Sequence, residues 1–281
     1  METNSIINEN KVIAVIMSLY RNDTLDYVRF AIDSILNQTF PFFDFYIQVD
    51  GPIREDVMNY LDNLDDRRII IRKRELNKGL ASSLNELLEI IKQDSYGFIA
   101  RMDADDIAIL DRFQKQIDFL TNNTEIDIVG GAIREIDEKG NDRHKTVYYP
   151  LTPQECKRFF AKRNPVAHST VIFRRSFFEK VDWAYPTDFV RNEDTRLWHE
   201  GYKHGCMIAN IPDVVLNFRV TDSMFKQRRN GLSFAKSQLK LRKQIKKDLG
   251  YGFMSYVYAY AMFLLMVSPS WLIKIAYKVF R

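Results

Sequence analysis

Cysteine is nearly missing from this 281-residue chain. Cys156 and Cys206 are its only two, too few for a disulfide framework or a Cys-x-x-Cys metal site, which suits a reducing compartment. Neither a Gly-x-x-x-x-Gly-Lys phosphate loop nor a Gly-x-Gly-x-x-Gly fingerprint occurs, so neither of those two nucleotide-binding loops is in use. His199 and His204 are five apart with no matching ligand cluster, and no zinc site is assigned. There are no internal repeats or low-complexity tracts. Met1 to Lys11 is polar and carries acidic groups, unlike a signal peptide.

Acidic residues are scarce in one place only. Ser223 to Arg281 holds 12 Lys and Arg against one acidic residue, which leaves −7 on residues 1–222 of a chain whose net charge is +4. An acidic body therefore carries a basic tail, a charge pattern that suits nucleic acid or an anionic membrane surface. Residues 1–222 are read as one body and 223–281 as the tail.

Apolar residues make up 46% of the chain, ample for a core. Val12 to Leu19 is a dense apolar run, as in a strand buried on both faces. Asp23 or Thr24 can cap the helix in which Leu25, Val28, Ile32 and Ile35 recur. Phe43, Phe45, Ile47 and Val49 alternate as in a strand that ends at Asp50-Gly51-Pro52. A short helix from about Glu55 to Leu64, a strand from Arg68 to Arg72, a turn at Asn77-Lys78-Gly79 and a helix marked by Leu80, Leu84, Leu87, Leu88 and Ile91 follow. Tyr96 to Ala100 is the fourth strand. Such alternation predicts an α/β fold with a mostly parallel, Rossmann-like sheet covered by helices.

Further on, the pattern predicts a helix over about Leu110 to Asn122 and a strand over Ile126 to Ile136 broken by Gly130-Gly131. Gly140-Asn141-Asp142 reads as a loop tip, and Thr152-Pro153 opens a basic helix. Strands are expected at Thr170 to Phe173 and Val214 to Val220, and Asn192-Glu193-Asp194 begins a short helix between them. Leu232 to Leu249 is a Lys-rich helix. Phe253 to Ile273 carries no charge and is long enough to span a bilayer. Its tyrosines, its Ser268-Pro269-Ser270 break and its basic flanks favour helices lying in the membrane surface over a span; packing on the body or on a partner is the third option.

The fourth strand runs into Arg101-Met102-Asp103-Ala104-Asp105-Asp106. Three carboxylates within four residues repel one another unless a cation sits among them. On an extended backbone Asp103 and Asp105 point to the same side, and Mg2+ is commonly held by one or two carboxylates together with substrate phosphates. The alternative is an acidic turn in which Asp106 caps a helix. Ligands of open α/β sheets bind outside the carboxyl ends of the strands. Ser18 to Asn22, Asp50 to Pro52 and Arg101 to Asp106 all fall at that edge.

Taken in order, these residues resemble family 2 glycosyltransferases, and within them the amylovoran and O-antigen type of bacterial polysaccharide enzymes. The resemblance rests on Val12 to Asn22, Ala31 to Thr39, Val49-Asp50-Gly51, Asn77-x-Gly79 with Asn85, Asp103-x-Asp105-Asp106, Arg163-Asn164-Pro165-x-x-His168-x-Thr170-Val171, Glu193-Asp194 before Leu197-Trp198, and Arg228-Arg229. It covers about Lys11 to Asn230. The opening Ser18-Leu19-Tyr20-Arg21-Asn22 departs from the commoner Pro-x-Tyr-Asn, and the usual Asp-Asp-Gly-Ser is reduced to Asp50-Gly51-Pro52.

The resemblance implies a GT-A fold and an inverting hexosyl transfer from a nucleotide-diphosphate sugar, here a UDP-sugar. It implies Mg2+ or Mn2+ on Asp103 and Asp105, and a base at Asp194, with Glu193 supporting it or touching the acceptor. Ser18, Asp50, Lys78, Arg101 and Asp103 are the expected donor contacts. His168, Arg228 and Arg229 are the expected contacts to acceptor or diphosphate. The expected acceptor is a saccharide on a polyprenyl diphosphate at the cytoplasmic face of the inner membrane, with the tail as the membrane contact and no nucleic acid partner. Two rival readings are a sugar-phosphate nucleotidyltransferase and a non-catalytic carbohydrate- or membrane-binding scaffold. The missing Gly-rich triphosphate loop counts against the first, and the intact acidic clusters count against the second.

Overall fold

The computed structural model describes residues 12–188, 192–221 and 232–268. Strand β1 (Ile13–Leu19) lies at the middle of its parallel half-sheet, and six of its seven residues are buried. Helix α1 (Leu25–Leu36) crosses over it with Val28, Ala31, Ile32 and Ile35 inward and leads to β2 (Phe43–Asp50). Helix α2 (Glu55–Asp62) then leads to β3 (Ile69–Arg74), and α3 (Leu80–Ile91) to β4 (Phe98–Arg101). These strands stand in the order β3-β2-β1-β4 and pair in parallel throughout. Their carboxyl ends therefore share one edge.

All eight residues of β2 are buried, including Asp44, Gln48 and Asp50, so the expected alternation is not an inside–outside pattern. Tyr96 explains Asp44: its hydroxyl donates to the Asp44 carboxylate and lies 3.0 Å from the Tyr46 hydroxyl. A buried acid with a donor avoids the penalty of an unpaired one.

Beyond β4 the sheet turns mixed. Two-residue strand β5 (Ile107–Ala108) precedes α4 (Arg112–Asn122) and β6 (Ile128–Ile136). The expected break at Gly130-Gly131 does not occur. A Cβ on Gly130 would stand 2.1 Å from a Val166 methyl, and one on Gly131 2.8 Å from Val215; the glycines admit neighbours to an unbroken strand. Strand β7 (Asp142–Val147) follows, so Asp142 opens a strand rather than tipping a loop. Helix α5 (Pro153–Phe160) starts with a complete capping box between Thr152 and Glu155.

Of the expected strand at Thr170 to Phe173, Thr170 ends a 3-10 turn (His168–Thr170), and β8 is Ile172–Arg174. Helices α6 (Arg175–Lys180) and α7 (Glu193–Lys203) precede β9 (Ile208–Arg219). That last strand starts six residues before the expected Val214. Its parallel pairing with β6 is interrupted around Pro212 and Asp213, where proline has no N–H to donate. Strand β8 joins the two halves, antiparallel to both β4 and β6.

Successive side chains of β1 feed two cores, as a strand period of two requires. Ile13, Val15 and Met17 meet residues of α1, α2 and α4. Ala14 and Ile16 face α3, α5, α6 and α7. Each fully buried Ile, Leu or Val in these cores contributes about 1.5–3 kcal/mol.

The expected boundary at residue 222 lies outside the described residues. Helix α8 (Leu232–Leu249), which follows it, is part of the second core through Leu241 and Ile245. Helix α9 (Met254–Met266) folds back on α8, with Lys246 Nζ 3.4 Å and Lys243 Nζ 4.8 Å from the ring centroids of Tyr256 and Tyr260. Among the described residues no helix is long and apolar enough to cross a membrane. The apolar stretch read to Ile273 runs past them.

Candidate active site

Met102 and Ala104 are anchored in the first core. Strand β4 ends at Arg101 and a turn at Ala104–Asp105 follows, so the extended backbone expected between Asp103 and Asp105 does not form, and the turn brings their carboxylates together instead. Asp106 does not cap a helix. It precedes β5, and α4 starts later, at Arg112. Asp106 is 1% exposed and belongs with the other two: carboxylate oxygens of Asp103, Asp105 and Asp106 all lie within 4.8 Å of one another. Burial first, then the charges of Asp105 and Asp103, hold the Asp106 carboxyl well above the usual range. A cation relieves that strain, and an all-oxygen donor set suits a hard divalent ion.

Sequence reading missed Arg219, which holds this loop. Its backbone N–H donates to Asp106 Oδ1 at 2.9 Å and its Nε to the Asp105 carbonyl at 2.8 Å. Its guanidinium lies over Tyr27, 4.2 Å from the ring centroid. Buried Arg112 closes the loop from behind, donating to the Arg101 carbonyl at 2.9 Å.

Arg101 is 1% exposed and donates to Asp103. Its Nε and Nη1 find no acceptor among the described residues. Buried guanidinium donors without acceptors are costly, and they are suited to receive an anion. Asp103 and Arg101 also act electrostatically on Glu193, His168 and Tyr185. The end of β4 is therefore within electrostatic reach of the start of α7, ninety residues later in sequence.

Glu193 and Asp194 open α7, where carboxylates favour the helix dipole. Asp194 Oδ2 accepts from Asn164 Nδ2 at 2.8 Å, and Oδ1 accepts from the Thr195 amide and hydroxyl. Burial raises the Asp194 carboxyl, opposed by Thr195, Arg242 and Asn164. Burial and then the Asp194 charge raise Glu193 to about 7.

His168 Nε2 lies 3.1 Å from the Tyr185 hydroxyl. Burial, then Arg101, pushes its imidazole down to about 3, so it is neutral at physiological pH. Asn85 clamps Tyr185 through both backbone groups, at 2.7 and 3.0 Å.

Asp50, an expected donor contact, is already engaged by the protein itself. It is 2% exposed, and one oxygen takes Arg74 and the Lys78 amide while the other takes the Gly79 amide at 2.9 Å. Gly51 has φ +80°, and a Cβ there would lie 2.7 Å from the Asn77 nitrogen. Asp50 thus organises the turn from Asn77 to Gly79, and Arg74 is a partner that sequence reading missed. The Lys78 side chain is 59% exposed, its Nζ 3.6 Å from Glu86. Ser18 lies partly exposed near the end of β1, in register with Gln48. Arg228 and Arg229 lie outside the described residues.

This architecture is matched by known proteins. The family described as Glycosyl transferase family 2 matches residues 14–182. The chain belongs to that family. Among family 2 relatives it is similar to the amylovoran biosynthesis glycosyltransferase AmsE of Erwinia amylovora, 30% identical over 81% of this chain and 83% of the relative. It is 27% identical to the UDP-Gal:alpha-D-GlcNAc-diphosphoundecaprenol beta-1,3-galactosyltransferase of Escherichia coli, over 81% and 80% of the two chains. The solved structure of mannosyltransferase PcManGT from Pyrobaculum calidifontis, in complex with GDP-Man and Mn2+, superposes with a TM-score of 0.60 at 16% identity, over 96% of this chain and 74% of that one. Its fold is that of this family 2 chain: a GT-A glycosyltransferase.

Proposed function

We propose that this glycosyltransferase transfers a hexose, with inversion, from a UDP-sugar to a saccharide carried on a polyprenyl diphosphate. The observation that carries this reading is the Asp103–Asp105–Asp106 group, whose carboxylate oxygens lie within 4.8 Å of one another, with the Glu193–Asp194 pair opening α7 within its electrostatic reach. Acceptor chemistry and donor class follow the Escherichia coli relative, whose name states both.

Asp103 and Asp105, with Asp106 behind them, would hold Mg2+ or Mn2+. When bound, such an ion supplies positive charge against the leaving diphosphate. The unpartnered donors of Arg101 reach toward the same oxyanions. Asp194 takes the proton of the acceptor hydroxyl as its oxygen attacks the anomeric carbon; UDP leaves from the opposite face, which inverts the configuration. Its raised proton affinity makes it a stronger base than an exposed carboxylate. Glu193 faces the acceptor beside it.

A membrane-held acceptor gives the tail its part at the cytoplasmic face of the membrane. Phe253, Val257, Tyr260, Leu264 and Val267 recur at intervals of four and three along α9, all at least 42% exposed. Lys243 and Lys246 lie beside this stripe. An apolar helix face bordered by lysines suits an anionic leaflet.

The test is a donor screen against a synthetic lipid-diphosphate N-acetylhexosamine, read by mass spectrometry. UDP calorimetry with and without Mn2+ runs beside it. A UDP-sugar that extends the acceptor supports the reading. Absence of metal-dependent UDP binding removes it.

A further inference from the structure

Arg242 belongs to α8, in the basic tail, yet it reaches the surroundings of Asp194. Its Nη2 donates to Asn164 Oδ1 at 3.2 Å and its Nη1 to the Phe160 carbonyl at 2.9 Å. The guanidinium carbon lies 5.4 Å from the centroid of the Phe160 ring. The helix that brings it is fixed at several points. Leu241 and Ile245 are in the second core, Gln238 donates to Asn192, and Asp248 Oδ2 stands 3.2 Å from His199 Nε2.

The chemistry of the pair is directional. A guanidinium has only donors, so the end of Asn164 that faces it must be the oxygen. Thr195 Oγ1 lies 3.0 Å from that same oxygen and 3.2 Å from Asp194 Oδ1, with one proton to give to either. The amide nitrogen is then committed to Asp194 Oδ2, at 2.8 Å. Turned the other way, Asn164 would set an oxygen against a carboxylate. Asp194 and Arg242 thus demand the same orientation from opposite ends of the amide, one taking its nitrogen and the other its oxygen.

We propose that Arg242 is a positioning residue for the Asp194 base, locking the Asn164 amide so that its nitrogen always meets the Asp194 carboxylate. This rests on Asp194 being the base. The tail then serves the chemistry directly, apart from any contact of α9 with a membrane. The charge of Arg242 acts in the same sense, favouring ionised Asp194.

Other charged and titratable groups are in place around the pair. Glu193 precedes Asp194 on α7. Tyr185 senses both acids and Arg101. Arg163, Tyr251 and Tyr258 act on Arg242.

The experiment compares the full-length chain with Arg242→Gln and Arg242→Lys. Three quantities are read: the Asp194 carboxyl titration by carbon-13 NMR, UDP affinity with Mn2+ by calorimetry, and the kcat–pH profile with the donor and acceptor found in the screen above. For Arg242→Gln, the Asp194 titration and the acid limb of kcat both move to higher pH. Its kcat at neutral pH falls at least about tenfold, a part of what a general base contributes, and UDP affinity is unchanged. Arg242→Lys, which keeps a charged donor, recovers most of both.

Should Arg242→Gln fail to fold, Asn164→Ala removes the mediator and leaves α8 packed; it too loses kcat and keeps UDP. Unchanged titration and kcat in folded Arg242→Gln, or normal transfer by Asn164→Ala, overturns the inference and leaves the base reading standing. Full transfer by Asp194→Asn instead overturns the base reading and, with it, any catalytic role for Arg242.

Discussion

The backbone amide of Arg219 donates to the Asp106 carboxylate at 2.9 Å, tying the end of β9 to a loop 113 residues earlier. With the Asp105 carbonyl held by the same residue, the acidic loop is fixed from outside itself. These contacts use the Asp106 carboxylate and the Asp105 backbone, not the Asp105 side chain, so removing the Asp105 carboxylate need not unfold the loop.

Asp105→Asn should fold normally, because it relieves repulsion among three crowded acids. Turnover should fall at least about a hundredfold, the scale of losing one key electrostatic stabiliser. Steady-state kinetics at ordinary Mn2+ concentration measures this. Near-normal turnover would take Asp105 out of the metal site.

Asp194→Asn should keep metal-dependent UDP binding and lose transfer by about 10² to 10⁴, the usual contribution of a general base. Calorimetry and kinetics on one preparation separate the two effects. Collapsed donor affinity with normal saturated turnover would make Asp194 a binding residue.

Glu193 carries a pH signature. Its carboxyl sits at about 7 against an ordinary 4.5, so between those values the folded chain keeps a proton that the unfolded chain releases. Stability from this group is therefore lost as pH rises through that window, by at most about 3 kcal/mol. Glu193→Gln should be the more stable protein at pH 8 and equal to the parent at pH 4. Urea denaturation at the two values measures it; equal stability at pH 8 would show that Glu193 is not strained.

The tail divides at Gly250. A chain ending there keeps α8 and should bind UDP and fold, yet transfer poorly to a long-chain lipid acceptor. A short-chain soluble acceptor should be affected much less. A chain ending at residue 221 removes Leu241 and Ile245 from the second core and should be unstable by circular dichroism. A Gly250 truncation that is itself unfolded would make α9 structural and remove the main support for membrane capture.

The parallel half of the sheet could be read from the sequence within a residue or two because β1 to β4 are compact apolar or alternating runs joined by amphipathic helices. The acidic triad was legible for the same reason: it lies where such a run ends. The second half was less so. Strand β7 is largely polar, β5 has two residues and β8 three, too short to show a period. The supports of the site were hidden differently. Arg74, Arg219 and Arg242 look like surface charges until the fold brings each to a carboxylate or its carrier. The part Asp50 plays in anchoring Asn77 to Gly79 was not legible, because it depends on amides and on Arg74, which the β2–β3 pairing brings alongside.

The sheet separates two interiors, and the acidic triad and the proposed base are seated in different ones. Met102 and Ala104 anchor the triad in the first core. Leu197 and Trp198 anchor α7 in the second, alongside Phe160 and Leu241. Genetics would see this partition as two classes of lesion. Temperature-sensitive alleles that still bind nucleotide but no longer transfer sugar will gather around the second interior. Some will fall on α8, in codons that a map of substrate contacts would pass over.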